Sequence, residues 1–225
     1  MSQYELVTAD VQENSLLCLD KNILTLLLKD RSSGKNIIWA TDDYEQLGAG
    51  YAADDELTLA AITGEHGDII RPRALKSKEE QGLRTRNMAE VFTPLWICNK
   101  MNNLADNAWF GRENAFNSEN GISWQASEGK VAFPSEQGPD GWRAYLSSRR
   151  LEITCGEAPY LASRYDTMTG ELVPLAQRIG LLDRKLRVIN ERIRNFKDKQ
   201  RAQKRWLELA KLALQSVYGF EWAGD

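Results

Sequence analysis

The sequence is short of the residues on which several common kinds of functional site depend. It contains one histidine, His66, and three cysteines, Cys18, Cys98 and Cys155, which lie far apart without a Cys-x-x-Cys spacing. This pattern argues against a disulfide framework and against a metal site such as a zinc cluster, and it is typical of proteins in a reducing cytoplasm. A Ser-His-Asp hydrolase is also disfavoured, because only one histidine is present.

Long hydrophobic runs are missing as well. Leu26–Leu28 is typical of the longest apolar runs, whereas a membrane helix needs roughly 20 consecutive apolar residues. Residues 1–10 are acidic and have no apolar core, so they do not resemble a secretory signal. We therefore expect no membrane segment and a cytoplasmic location. With 42% hydrophobic residues in 225, the chain can supply a folded core.

Charge is distributed unevenly along the chain, although the net charge is only -3. Residues 1–70 hold 4 basic and 13 acidic side chains, whereas residues 71–100 hold 7 basic and 3 acidic ones. Residues 176–205 hold 11 basic and 3 acidic side chains. A segment this basic can contact phosphates or an acidic partner, and a solvated helix face is the alternative interpretation.

The N-terminal part of the chain is predicted to be a small α+β region over residues 1–70. Its apolar pattern indicates a buried helix over 16–28. Short strands are expected in three further apolar stretches: Ile37–Ala40, Leu57–Thr63 and Ile69–Ile70. Residues 71–93 are polar and basic, which favours a linker or a flexible arm.

After Pro94 the spacing predicts an amphipathic helix over 95–109. Its expected apolar face comprises Trp96, Ile97, Met101, Leu104, Ala105 and Ala108. The other elements expected in residues 94–225 are an irregular segment over 110–145, a strand over 151–154, helices over 182–196 and 200–217, and a strand that begins at 217.

Two segments, residues 86–94 and 151–161, carry motifs that belong together in a known family. The first ends in Val-Phe-Thr-Pro, and the second reads Leu-Glu-Ile-Thr-Cys-Gly-Glu-Ala-Pro-Tyr-Leu. In this order they resemble the Phe-Tyr-Thr-Pro-like element and the Thr-Cys-Gly-Ser-Gly-like loop of amino-methylating DNA methyltransferases from restriction–modification systems. Residues 92–100, 106–112 and 179–188 are also similar to proteins described as the modification subunit of such systems.

The resemblance implies a partial class I methyltransferase-like, Rossmann-like α/β core that binds S-adenosylmethionine, with a helical insertion over 165–217. The residues that it assigns to the cofactor are Phe92, Thr93 and Pro94 at the methionine end, and Thr154, Gly156 and Glu157 in the loop after the first strand. Tyr-Gly-Phe-Glu at 218–221 resembles the second strand, whose terminal acid, here Glu221, holds the ribose hydroxyls. Ala158 and Pro159 stand where the family often has Gly-Gly, which predicts a less open loop and weaker cofactor binding.

The family's catalytic loop, Asn-Pro-Pro-Tyr or Asp-Pro-Pro-Tyr, has no counterpart, because the six prolines include no adjacent pair. Residues 1–225 alone are therefore not expected to methylate DNA, and a second protein chain could carry the catalytic half. The candidate DNA contacts are the basic residues of the insertion: Arg184, Lys185, Arg187, Arg192 and Arg194.

Two functions stay open from the sequence. The first is the N-terminal part or a subunit of a DNA adenine methyltransferase, which contributes cofactor and DNA binding. The second is a non-catalytic, methyltransferase-like interaction protein, as in phage anti-restriction or defence, that binds DNA or a restriction–modification complex. If residues 165–205 project as a helical hairpin, its exposed apolar face predicts a homodimer or a partner surface.

Overall fold

The computed structural model describes residues 9–88 and 91–221, which fall into two compact units. The first unit comprises residues 9–88, Val91 and Glu221, and the second comprises Phe92–Phe220. Within these described ranges the protein is mixed α/β, with eight α-helices and two sheets of two strands each. None of the described helices combines the length and the apolar character needed to cross a membrane.

The regular secondary structure of the first unit is helical. Its α-helices are α1 (Glu13–Leu19), α2 (Lys21–Leu27), α3 (Leu59–Ile62) and α4 (Lys78–Met88). Its core is built around Trp39, which is 1% exposed, lies 4.9 Å from the Tyr44 ring and donates its indole N–H to the Gly50 carbonyl at 2.9 Å. Burial of a tryptophan with a satisfied N–H stabilises a small core of this kind.

The single helix expected over 16–28 is wrong, because the chain breaks at Asp20. This residue is extended (φ -160°) and accepts a hydrogen bond from the Asn22 N–H at 2.8 Å, so it ends α1 and caps α2. The three expected strands do not form in the described residues. Ile38 makes only an isolated bridge to Glu56, and α3 occupies part of 57–63 because the Thr58 side chain caps it.

The basic segment after residue 70, for which the sequence favours a linker or a flexible arm, is largely helical. A short 3-10 helix covers Arg73–Leu75 and is followed by α4. Ser77 and Glu80 form a reciprocal capping box: the Ser77 N–H donates to the Glu80 carboxylate at 2.7 Å, and the Glu80 N–H donates to the Ser77 hydroxyl at 3.2 Å. Ser-x-x-Glu is a recognised start signal for a helix, so the start of α4 could have been predicted from the sequence.

The second unit contains most of the helices and strands that the sequence predicts. Its elements are α5 (Leu95–Phe110), β1 (Asn117–Asn120), β2 (Ser123–Ala126), α6 (Gly141–Ser147), β3 (Arg150–Ile153), α7 (Leu181–Ile193), α8 (Lys199–Leu214) and β4 (Val217–Phe220). Helix α5, strand β3, the pair α7 and α8, and strand β4 all lie where apolar spacing placed them. The irregular segment expected over 110–145 is instead partly regular, with an antiparallel β1–β2 hairpin and α6.

Strands β3 and β4 pair in parallel, with Arg150 opposite Val217 and Ile153 opposite Phe220. The connection between them contains α7 and α8, so this part of the chain is a strand–helix–strand crossover. The side chains of Leu151, Ile153 and Phe220 are 59–65% exposed, and Tyr218 is 48% exposed. Within the described residues, these four apolar side chains of the parallel sheet are therefore about half exposed or more.

Helix α5 is buried on the opposite face from the one that its apolar residues predict. Met101 and Leu104 of the expected apolar face are 53% and 60% exposed. The buried positions of α5 are mostly polar: Leu95, Cys98, Asn99, Asn102, Asn103, Asp106 and Phe110. The interior of the second unit thus contains a polar cluster, which determines how this helix is oriented.

Candidate functional site

The candidate site is the loop that follows β3 at the carboxyl end of the parallel strand pair. The Cys155 N–H still donates to the Phe220 carbonyl at 3.1 Å, so the loop leaves the sheet at Gly156. Thr154, Gly156 and Ala158 all have left-handed backbone angles, with φ between +50° and +53°. For Thr154 and Ala158 this conformation costs about 1 kcal/mol each, and such strain tends to collect at functional sites.

Phe92 lies against this loop. A Cβ atom added to Gly156 would be 3.4 Å from both Cε1 and Cζ of the Phe92 ring, so the ring rests on the bare backbone of the glycine. The two residues are far apart in the sequence and belong to the two different motifs. The structure therefore brings together the two segments that the resemblance assigns to one site. In open α/β sheets, ligands bind at the carboxyl ends of the strands.

Thr93 and Pro94 connect this contact to α5. Pro94 precedes the helix, and its carbonyl accepts the N–H groups of Ile97 and Cys98 at 2.9 and 3.2 Å. Cys98 is fully buried, its thiol contacts the Thr93 carbonyl at 3.7 Å, and burial raises the pKa of that thiol to about 12. A thiol with this pKa stays protonated and acts as a packing group.

Glu152 of β3 anchors the far end of the loop. Its carboxylate accepts the Leu161 N–H at 3.2 Å. Burial raises the pKa of Glu152 to about 7, although hydrogen bonds from the Tyr160 and Leu161 N–H groups act in the opposite direction. Near neutral pH the protonated and charged forms are therefore about equally populated in the folded protein, whereas an ordinary glutamate is almost fully charged.

Replacing Glu152 with glutamine should change how stability depends on pH. Between pH 4.5 and about 7 the folded wild type holds a proton that the unfolded chain releases, so wild-type stability falls as the pH rises through this window. The amide cannot ionise, so Glu152→Gln should be more stable than wild type by about 2 kcal/mol at pH 8 and nearly equal at pH 5. Denaturant unfolding at both pH values measures this. The exposed control Glu208→Gln should not gain stability over wild type between pH 5 and pH 8. If the stability difference between Glu152→Gln and wild type were the same at both pH values, the raised pKa of Glu152 would be contradicted.

The remaining predicted cofactor residues are placed as follows. Thr154 is exposed, and its hydroxyl donates to the Ile153 carbonyl at 2.6 Å. The Glu157 carboxylate accepts the Tyr165 hydroxyl at 2.9 Å. Glu221 is the residue after the end of β4 and belongs to the first unit. The roles of these three residues in binding stay predictions.

A buried polar cluster lies behind the loop and connects α5, α6, β3 and α7. Its centre is Asp106, whose carboxylate contacts Arg184 Nη1 at 2.7 Å and Arg150 Nη2 at 3.4 Å and accepts the Tyr145 hydroxyl at 3.1 Å. Burial, and then the charge of Asp106, raise the pKa of Tyr145 well above its usual value. Because Arg150 is the first residue of β3, the cluster fixes the strand that carries the loop.

Three asparagines complete the cluster. Arg184 Nη2 donates to the Asn99 and Asn103 side-chain oxygens at 3.0 and 2.8 Å, and both asparagine amides donate to Asn117 Oδ1 at 3.0 Å. On the same face of α5, Asn102 donates to the Tyr160 carbonyl at 2.9 Å, which holds the end of the loop. The sequence analysis missed this cluster, although positions 99, 102, 103 and 106 repeat at helical spacing.

Three of the five predicted DNA contacts have structural roles instead. Arg184 is 2% exposed within the polar cluster, and Lys185 is fully buried, with its ammonium bonded to the Ser148 carbonyl and the Ser216 hydroxyl. Burial lowers the pKa of Lys185 to about 8. The half-buried Arg187 donates to the Phe116 carbonyl at 2.9 Å.

Arg184 and Lys185 are therefore corrected from phosphate contacts to interior residues, because neither side chain reaches the surface. Arg187 pairs with Glu191 at 3.0 Å and also donates to the Phe116 and Ser127 carbonyls, so its guanidinium already has a charged partner within the protein. Arg192 and Arg194 are exposed, so their role as DNA contacts stays a prediction.

Comparison with known proteins assigns no function to this site. The chain matches no protein-family model, and no curated protein or solved structure matches it. Among the described residues there is no group of three His, Cys, Asp or Glu side chains that could hold a metal ion.

Proposed function

We propose that the chain binds S-adenosylmethionine at the loop after β3 and serves as the cofactor-binding part of a DNA adenine methyltransferase. The observation that carries this proposal is the contact of Phe92 with Gly156. The positive φ of Gly156 strains any other residue, and a side chain there would press on the Phe92 ring. An aromatic ring packed on a glycine loop at the carboxyl end of a strand is the combination that the resemblance assigns to the cofactor, which supports the proposal.

The loop residues have defined roles in this proposal. The Phe92 ring and the segment through Pro94 cover the methionine end, and the backbone of Thr154 and Gly156 lies beside the cofactor. The resemblance alone assigns the Glu221 carboxylate to the ribose hydroxyls. The bound cofactor supplies an activated methyl group on its sulfonium. Adenine must be flipped out of the duplex to reach it, because its amine is paired with thymine and an active-site pocket cannot enclose a base that is still stacked.

Transfer of the methyl group needs a segment that residues 1–225 lack. The chain has no Pro-Pro pair, so the groups that accept the hydrogens of the target amine come from elsewhere in the complete assembly. We propose that a second chain or a further segment provides them. The exposed apolar residues of the parallel sheet, Leu151, Ile153, Tyr218 and Phe220, support this, since parallel sheets are normally covered on both faces.

Hydrogen–deuterium exchange with and without S-adenosylmethionine tests the location of the site. At saturating cofactor, amide exchange should slow in peptides that cover 92–98 and 154–161, and exchange in α8 should stay unchanged as the internal control. Protection confined to other segments, or no protection at millimolar cofactor, would overturn the proposal. It would then favour the alternative of a non-catalytic interaction protein, which the absent catalytic loop also suits.

A further inference from the structure

The turn between α7 and α8 carries an unusually dense positive charge. Residues 192–205, called here the basic turn, contain seven basic side chains and a single acidic one. The basic residues are Arg192, Arg194, Lys197, Lys199, Arg201, Lys204 and Arg205, and all but Arg205 are exposed. This segment follows Arg184 and Lys185 in the sequence. Its charged groups are at the surface, whereas those of Arg184 and Lys185 are buried.

The carboxylates of Asp198 and Glu208, in and next to the basic turn, already have partners. Asp198 caps α8 and accepts the Gln200 and Arg201 N–H groups at 2.9 and 3.1 Å. Glu208 pairs with Arg205 at 2.9 Å. In the part of the chain that the structure describes, none of the six exposed cations forms an ion pair. The positive charge of the basic turn is therefore largely uncompensated.

Aromatic rings hold part of this charge in place. The Arg192 guanidinium lies 5.4 Å from the centre of the Phe133 ring and 5.5 Å from that of Trp142. Arg143 of α6 lies 5.2 Å from the same Trp142 ring. Stacking on a ring restrains a guanidinium without neutralising it, so less conformational freedom is lost when it binds an anion.

The charge continues along the exposed side of α8. Arg201, Lys204 and Lys211 are exposed and recur at spacings of three and seven residues, which places them on one side of the helix. At about 1.5 Å per residue this row is about 15 Å long, which is the rise of about four base pairs along the axis of DNA. A row of cations of this length matches a regularly spaced polyanion.

We propose that the basic turn and the adjoining face of α8 bind the phosphate backbone of duplex DNA. This inference deepens the proposed function, because it names the surface that would hold the DNA to be methylated, and it rests on that function for the choice of DNA. On this side of α8 three exposed cations outnumber one carboxylate, Glu208, which is already paired with Arg205, so the surface keeps a net positive charge that suits the phosphates of a duplex. The contacts involve phosphates alone, so the binding is independent of DNA sequence.

Fluorescence anisotropy with a labelled 20-base-pair duplex tests the proposal across a series of salt concentrations. The double variant Lys197→Gln/Arg201→Gln should bind at least about tenfold more weakly than wild type, and its plot of log K against log salt should be less steep by about two. The matched control, Lys21→Gln/Lys100→Gln, removes two exposed charges outside the basic turn and should bind like wild type. Equal thermal unfolding of both variants excludes a loss of folding.

Three outcomes would overturn the proposal: no binding of the duplex by wild type at low salt, equal weakening in both double variants, or binding of single-stranded RNA with no binding of the duplex. Its failure is separable from that of the proposed function. DNA binding that depends on the basic turn, without protection of 92–98 and 154–161 by S-adenosylmethionine, would sustain the DNA surface and reject the cofactor site.

Discussion

Replacing Asp106 with alanine is expected to lower the free energy of unfolding of the second unit by about 3–5 kcal/mol. The side chains of Asp106 and Arg184 are 2% and 1% exposed, so the variant leaves a buried guanidinium without its carboxylate. The Tyr145 hydroxyl loses its acceptor at the same time. A buried charge that has lost its partner is far more costly than a broken surface pair. Urea unfolding followed by tryptophan fluorescence measures the change.

The matched control for this prediction is Glu208→Ala, which breaks the exposed Arg205–Glu208 pair on α8. It should cost about 0–1 kcal/mol, because solvent screens such a pair. Changing Asp106 to alanine and Arg184 to methionine together should cost less than the sum of the two single changes, since no unpaired charge remains. Strict additivity, or a loss for Asp106→Ala as small as that of the control, would contradict the role assigned to the cluster.

Replacing Gly156 with valine is expected to weaken S-adenosylmethionine binding by about 100-fold or more, a loss of about 3 kcal/mol. The backbone φ of Gly156 is +50°, which a β-branched residue adopts only under strain. A Cβ at this position would already be in van der Waals contact with the Phe92 ring at 3.4 Å, so the two Cγ atoms of valine would have to displace the ring. Calorimetric titration of the variant measures the loss.

Gly138→Val provides the comparison for this experiment. Gly138 also has a positive φ, +67°, but a Cβ there would meet nothing within 4 Å. Both variants therefore place a valine at a positive φ, and they differ in the contact with Phe92. Gly138→Val should bind the cofactor as wild type does. Equal weakening in both variants would mean that general destabilisation, rather than the Phe92–Gly156 cradle, accounts for the effect.

Apolar spacing predicts the helices and strands of the second unit that pack through apolar faces. Leu182, Leu186, Ile189 and Ile193 recur at helical spacing, and the structure places them in or against the core that α7 and α8 share. The same reasoning gives the wrong buried face for α5, because there hydrogen bonds between Asn99, Asn103, Asp106 and Arg184 outweigh the burial of Met101 and Leu104. Polar residues at helical spacing can therefore mark the buried face of a helix as well as apolar residues do, when a buried arginine lies opposite them.

The candidate site was only partly predictable. The contact between Phe92 and Gly156 joins segments too distant in sequence for spacing to relate them, and only the resemblance to a family paired them. Sequence also could not separate the buried Arg184 and Lys185 from the exposed Arg192 and Arg194, because all four lie in one basic run. Their burial depends on partners, Asp106 and Ser216, that are far away in the chain.

Calorimetric titration of the 225-residue protein with S-adenosylmethionine decides whether the chain holds a cofactor site. We expect saturable binding at one site with a dissociation constant of roughly 1 μM to 100 μM, about 5–8 kcal/mol of binding free energy. The titration is done at two temperatures, because burial of apolar surface makes the heat of binding depend on temperature and this heat can pass through zero at one of them. Absence of saturable heat at millimolar cofactor at both temperatures would rule out the proposed cofactor site.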